Sequence, residues 1–191
     1  LILYPNEPSA YLAATSLAVL LLLSAPSALR LWRLREGRIF VEGLVVGLPP
    51  QSSPPAASLA EEARDLLRQG NRESLPKASL LFLRILPFRP ADPEILSLLA
   101  ETLTEIGTMT GDRRDLDRAD ALISYARALD RRGAAPRRAA ARWLWRTGRI
   151  DDAVEELQPR DGSDLDTQIL RARIAAARTD FTSATITLSE A

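Results

Sequence analysis

The sequence predicts an all-α protein: a single N-terminal transmembrane helix followed by an α-solenoid of about four helical hairpins. Three observations carry that expectation. From Pro8 to Leu29 there is no charged residue. From Ser58 onward apolar residues recur at helical spacing and are broken by Gly and Pro at repeating intervals. And the chain holds neither Cys nor His, so its residues lean towards packing rather than chemistry.

The first element is the uncharged stretch, read as a membrane helix over about residues 8–29. At about 1.5 Å per residue it is long enough to cross a hydrocarbon layer of about 30 Å. A cleaved signal peptide carries positive charge before a shorter apolar run. Here Glu7 precedes the run, whereas Arg30, Arg33, Arg35 and Arg38 follow it. Those arginines, with Trp32 among them at interfacial depth, put the following residues in the cytoplasm by the positive-inside rule. Ala10, Ala14 and Ala18 form a small-residue stripe that lets another membrane helix approach. The expected location is therefore a bacterial inner membrane, spanned once. The bacterial attribution rests on composition, with Lys77 the one lysine among arginines.

Residues 1–38 form the first unit, the membrane helix and its basic flank. The second, 39–57, begins with Ile39-Phe-Val-Glu-Gly-Leu-Val-Val-Gly-Leu48, β-branched and Gly-punctuated, which favours an extended piece. Pro49, Pro50, Pro54 and Pro55 then remove backbone donors and fix φ, making a semi-rigid spacer.

Residues 58–191 form the third unit, read as paired antiparallel helices. Leu59, Ala63 and Leu66 lead to Gly70, and Ala78, Phe82 and Ile85 to Pro90. A second pair carries Leu96, Leu99, Ala100 and Leu103 up to Gly107, then Ala121, Tyr125 and Ala128, with a long turn opened by Thr108–Leu116. A third carries Ala140, Ala141 and Leu144 up to Gly148, then Ala153 and Leu157 before Pro159. A fourth carries Ala172 and Ala175, then Ala184, Leu188 and Ala191.

These positions resemble the tetratricopeptide repeat, whose pattern sets a small residue within the first helix, a turn, then Ala, a large apolar residue, Ala and a closing Pro. Ala63, Gly70, Ala78, Phe82 and Pro90 match it in the first repeat. The expected Trp of the first helix is missing throughout, and Arg137 stands where an apolar residue belongs. The resemblance spans Ser58 to Ala191 and implies that each hairpin is stable only against a neighbour. It also implies that the chain continues past Ala191 or meets a partner there.

The resemblance further implies a concave groove lined by the first helix of each pair. The positions carried over are Arg64, Leu67 and Arg68; Ser97, Glu101, Thr104 and Glu105; Arg138, Arg142, Trp145 and Arg146; and Ile169 and Arg173. Arg138, Arg142 and Arg146 around Trp145 are suited to holding an acidic peptide, because guanidinium binds carboxylate through two parallel hydrogen bonds. Equally, Trp145 can pack within the array while the arginines solvate its face. Trp143 lies about 200° around the helix and belongs to another surface.

Other functions find little support. Lys plus Arg is 25 and Asp plus Glu is 25, without the basic excess that phosphate backbones attract, so no nucleic-acid partner is expected. Without Cys or His there is no thiolate, imidazole or Cys/His zinc site. Gly43 and Gly47 lack phosphate-loop spacing. No cofactor, small-molecule substrate or enzymatic activity is expected. Asp112, Asp115, Asp117 and Asp120 read as a solvated helix N-terminus rather than a calcium loop, and Asp151, Asp152, Glu155 and Glu156 likewise begin a helix.

The expected function is a membrane-anchored protein–protein interaction scaffold, an accessory or assembly subunit of a bacterial membrane complex. Its partners are other subunits, met through the membrane helix and the groove, and the lipid bilayer. Two alternatives stay open: a fragment of a multi-pass membrane enzyme of the polysaccharide polymerase or ligase type with a helical-repeat tail, and a peptide receptor for maturation or secretion.

Overall fold

Helix follows helix throughout the computed structural model, which describes residues 29, 31–43, 56–157 and 165–189; among them there is no strand. The membrane segment expected over about 8–29, with Ala10, Ala14 and Ala18, lies outside the described residues apart from Leu29, as does the Pro-rich spacer. Among the described residues no helix is long and apolar enough to cross a membrane.

Helix α1 covers residues 31–43. Residues 39–43, expected to be extended, instead continue it. The β-branched Ile39 and Val41 are tolerated because Val41 is buried in the main core and Phe40 packs against it, and tertiary burial outweighs a weak local propensity.

The hairpins begin with α2 (Ala56–Gln69) and α3 (Ser74–Ile85). Ala60, Ala63 and Leu67 are the buried face of α2. Gly70 ends it with φ of 62°, a left-handed conformation that costs glycine nothing. The Asn71 side chain then accepts the Ser74 N–H at 2.8 Å and the Glu73 N–H at 3.0 Å, satisfying donors that the new helix leaves free. Leu75, Ala78, Phe82 and Ile85 repeat at helical spacing and are fully buried. Pro87, in the short 3-10 turn Leu86–Phe88, closes the hairpin.

Helix α4 (Pro93–Thr110) is the centre of the molecule. Asp92 caps it by accepting from the Glu94 N–H at 2.9 Å, and Pro93 opens its first turn. It packs against α2, α3, α5 and α6, so polar positions are buried with the apolar ones. Thr102 and Thr104 satisfy themselves by donating to the carbonyls of Leu98 and Ala100, each at 2.8 Å.

The long turn expected at Thr108–Leu116 is absent. Helix α4 runs on to Thr110, only Gly111 and Asp112 form the turn, and α5 (Arg113–Leu129) starts at once. Gly107 is not the stop but a point of close approach, facing Asp112 O and the Leu116 side chain. The stop is Gly111, with φ of 74°, and Asp112 caps α5 through the Arg114 N–H at 2.8 Å.

The third hairpin pairs α6 (Ala134–Arg146) with the short α7 (Ile150–Glu156), turned at Gly148 with φ of 86°. Among the described residues no fourth hairpin forms. Residues Leu165–Ser189 are one helix, α8, because neither Gly nor Pro interrupts that stretch and no residue type there stops a helix. Among the described residues the array is thus three hairpins and a single long helix.

Helices α4 and α6 lie side by side on one layer, with α3 and α5 behind them. A main apolar core joins α1 to α6, and a smaller one unites Ala141, Ala153, Leu157, Leu170 and Ile174 where α6, α7 and α8 meet.

Candidate functional site

On the face of α6 turned towards α4, Arg138, Arg142 and Arg146 follow one another at intervals of four residues, so they share one stripe. Glu101 and Glu105 do the same on α4. The two stripes mesh. Glu101 Oε1 accepts from Arg138 Nε at 2.8 Å, and its Oε2 lies 3.3 Å from Arg142 Nη2. Glu105 reaches Arg142 Nη1 at 3.5 Å and takes both Arg146 Nε (3.2 Å) and Nη2 (2.6 Å).

Burial falls along this ladder. Glu101 is 1% exposed and Arg138 5%, whereas the Arg146 side chain reaches solvent. The inner rungs are therefore desolvated ion pairs, in which removing one partner is costly even though the pair itself adds little. The outer rung is a bidentate pair at the surface. The three arginines expected to receive a foreign carboxylate do gather, but the carboxylates they hold are the chain's own.

Trp145 is half-buried against the smaller core, and the Arg146 guanidinium stacks 4.5 Å above its ring. Trp143 faces elsewhere, as its helical position requires. It packs on the main core and donates to Leu116 O at 3.0 Å. On the α4–α6 face, Trp145 and Arg146 are the part of the expected groove that reaches solvent.

The remaining groove residues are spread out. Arg64 pairs with Glu61 and, at 2.5 Å, with Glu94 at the start of α4. Arg68 lies 3.1 Å from Asp65 and 3.5 Å from Asp166 on α8, whose charge pushes its guanidinium pKa up. Arg173 is exposed on α8. The aspartates at the start of α5 have structural work: Asp112 caps, Asp115 pairs with Arg118 at 3.3 Å, and Asp120 pairs with Arg33 at 2.6 Å. Among the described residues no group of carboxylates is arranged to hold a metal ion.

The second feature is the seat of α1 on α5, which sequence reasoning did not anticipate. Gly37 meets the carbonyl of Ala121 and the Cβ of Tyr125 with no room for a side chain. Val41 and Phe40 complete the contact below it, with Arg118 5.9 Å from the Phe40 ring. A signal was present in Gly37, Phe40 and Val41, which share one helical face. Beside this seat a cleft of about 880 Å³ opens between α1, α5, α6 and α7, walled by Arg33, Asp120, Arg127, Arg137, Arg149 and Glu156 among others. Its charges are largely mutually paired: Arg127 and Arg137 meet Glu156, and Arg149 lies 2.6 Å from Asp152. Burial pushes the Asp120 carboxyl pKa up, against the opposing pull of Arg33.

No family model matches this sequence, and comparison with curated proteins and with solved structures gave no match either.

Proposed function

We propose that this chain is a membrane-anchored protein–protein interaction scaffold, an accessory or assembly subunit of a larger membrane complex. In this reading residues 8–29 cross the bacterial inner membrane once and the helical array stands in the cytoplasm. The Ala10, Ala14 and Ala18 stripe packs on other membrane helices, and the array engages a soluble face of the complex. Its first three hairpins follow the tetratricopeptide pattern. It holds partners rather than transforming a substrate.

The observation that carries the reading is the seat of α1. The residues that leave the uncharged stretch do not pass into a loose tether; they enter a helix locked to α5 at Gly37. An array so mounted carries the residues that follow the apolar stretch as a packed part of itself, which suits a subunit that positions others. On the α4–α6 face the partner contact falls to Trp145 and Arg146, since Arg138 and Arg142 are withdrawn from solvent, whereas Arg146, although paired with Glu105, reaches it. A large aromatic beside a stacked guanidinium is the composition of an interface anchor.

The test is purification of the tagged chain from native membranes in mild detergent, with mass spectrometry of what remains bound in near-stoichiometric amount. A fixed set of membrane proteins, lost on Trp145→Ala or on substitution of the alanine stripe by leucine, is the expected result. Recovery as a stable, partner-free monomer overturns the proposal.

A further inference from the structure

The two faces of α1 differ sharply. Arg33, Gly37, Phe40 and Val41 turn inward to α5 and the core. On the opposite face, Trp32, Arg35 and Ile39 stand three and four residues apart, with Leu31 beside them. Leu31 is 70% exposed, Trp32 55% and Ile39 53%, and the Arg35 and Arg38 side chains are exposed too. Large apolar residues interleaved with arginine on one helical face, opposite a face that is fully used, form an amphipathic surface looking for a second solvent.

We propose that this outer face of α1 lies flat in the headgroup region of the bilayer, so that the repeat array is held down on the membrane surface rather than lifted from it. The inference rests on the membrane reading of residues 8–29. The occupant follows from continuity and charge. The uncharged run ends at Leu29, two residues before Leu31, so the start of α1 cannot leave the interface. Trp32 suits that depth, and Arg35 complements anionic headgroups, whereas Arg38 is paired with Glu42 on the same helix at 2.6 Å.

What the structure adds is Ile39. A helix leaving the membrane along its normal rises about 1.5 Å per residue, which puts Ile39 about 10 Å above Trp32 and beyond the interface. There it would gain nothing from the bilayer. Lying flat, it shares the depth of Trp32 and is buried with it. Because Gly37 is seated on Ala121 and Tyr125, the flat orientation sets α5 above the lipid.

The absence of cysteine makes the test clean. Single variants Trp32→Cys and Ile39→Cys, with Leu80→Cys on α3 as an exposed control, are spin-labelled in the full chain and reconstituted in phosphatidylcholine–phosphatidylglycerol vesicles. Accessibility to oxygen and to a water-soluble nickel complex then reports depth. The expected result is that the labels at 32 and 39 lie at similar depth in the interface, with 80 in water. A label at 39 about 10 Å further out than that at 32 overturns the flat orientation. Both labels in water, with the chain retained by the vesicles after an alkaline wash, also overturns it but leaves the membrane anchor standing. Release of the chain by that wash removes the anchor and this inference with it.

Discussion

A methyl group on Gly37 would stand 2.4 Å from the carbonyl oxygen of Ala121 and 3.1 Å from the Cβ of Tyr125. The first of these is backbone and cannot swing aside. In an unobstructed helix Gly→Ala gains about 0.5–1 kcal/mol from reduced backbone entropy. Gly37→Ala is expected to do the reverse, costing about 1–3 kcal/mol as overpacking and loosening α1 from α5. Gly43, on the same helix with nothing within 4 Å, is the control, and Gly43→Ala should be neutral or mildly stabilising. Thermal unfolding in mild detergent reads the first effect. Amide exchange in residues 31–43 reads the second, and a Gly37→Ala chain as well protected there as the parent sinks the close-approach argument.

Glu101 and Arg138 give a sharper contrast between removing a partner and removing a pair. Glu101→Leu leaves Arg138 buried with its charge and should cost about 3–5 kcal/mol. The double variant E101L/R138L should recover part of that, because Arg138 goes with its carboxylate while Arg142, 3.3 Å from Glu101, keeps only Glu105. At the outer rung, Arg146→Glu should cost about 1 kcal/mol or less, since the site is partly exposed, and the swap E105R/R146E should restore it only in part, because it also takes from Arg142 the Glu105 carboxylate that lies 3.5 Å away. Double-mutant cycles in urea decide both cases. Additive single costs would mean that the ladder is not a ladder.

The hairpin class was legible in the sequence because Ala63, Ala78, Phe82 and Ala100 repeat at a spacing that only helix buries. The turns were less so, and the two glycines near the second turn show why. Gly107 and Gly111 both qualify as stops, since glycine marks a chain reversal and a close packing contact alike. A contact with Leu116 is visible only once α5 is in place. The two roles separate on substitution. Gly111→Ala places Cβ in open space but at φ of 74°, at a cost of about 1 kcal/mol, and Gly111→Asn should regain part of it because Asn tolerates this region. Gly107→Ala meets Asp112 O at 3.0 Å and Leu116 Cγ at 3.0 Å, and Asn there should be worse than Ala. Equal behaviour of the two Asn variants in thermal unfolding would return the turn to Gly107.

The candidate site was half legible for a related reason. Position along each helix correctly put Arg138, Arg142 and Arg146 on one stripe and separated Trp143 from Trp145. The partner of that stripe lay in the preceding hairpin, at Glu101 and Glu105, and a reading of one repeat at a time looked for it outside the chain. Equivalent positions of consecutive first helices become neighbours on assembly, so opposite charges there are a local prediction of pairing.

Asp120 links the seat of α1 to pH. Its carboxyl is mostly buried beside Arg33, and desolvation raises its pKa above the ordinary 3.8 despite that guanidinium, with Asp117 adding in the same direction. A carboxyl whose pKa is higher folded than unfolded binds more protons in the native state between the two values. Stability from this group is then greatest at acid pH and falls as pH rises through that window. The wild type minus Asp120→Asn difference in unfolding free energy, which cancels the other carboxylates, should therefore decline from pH 4 upward and level off once Asp120 is ionised. Arg33→Gln removes the opposing attraction, so it should widen the window and steepen the decline. Urea unfolding across pH 4 to 7 in one detergent gives both curves. A difference curve that rises with pH would mean that the attraction of Arg33 outweighs burial at Asp120.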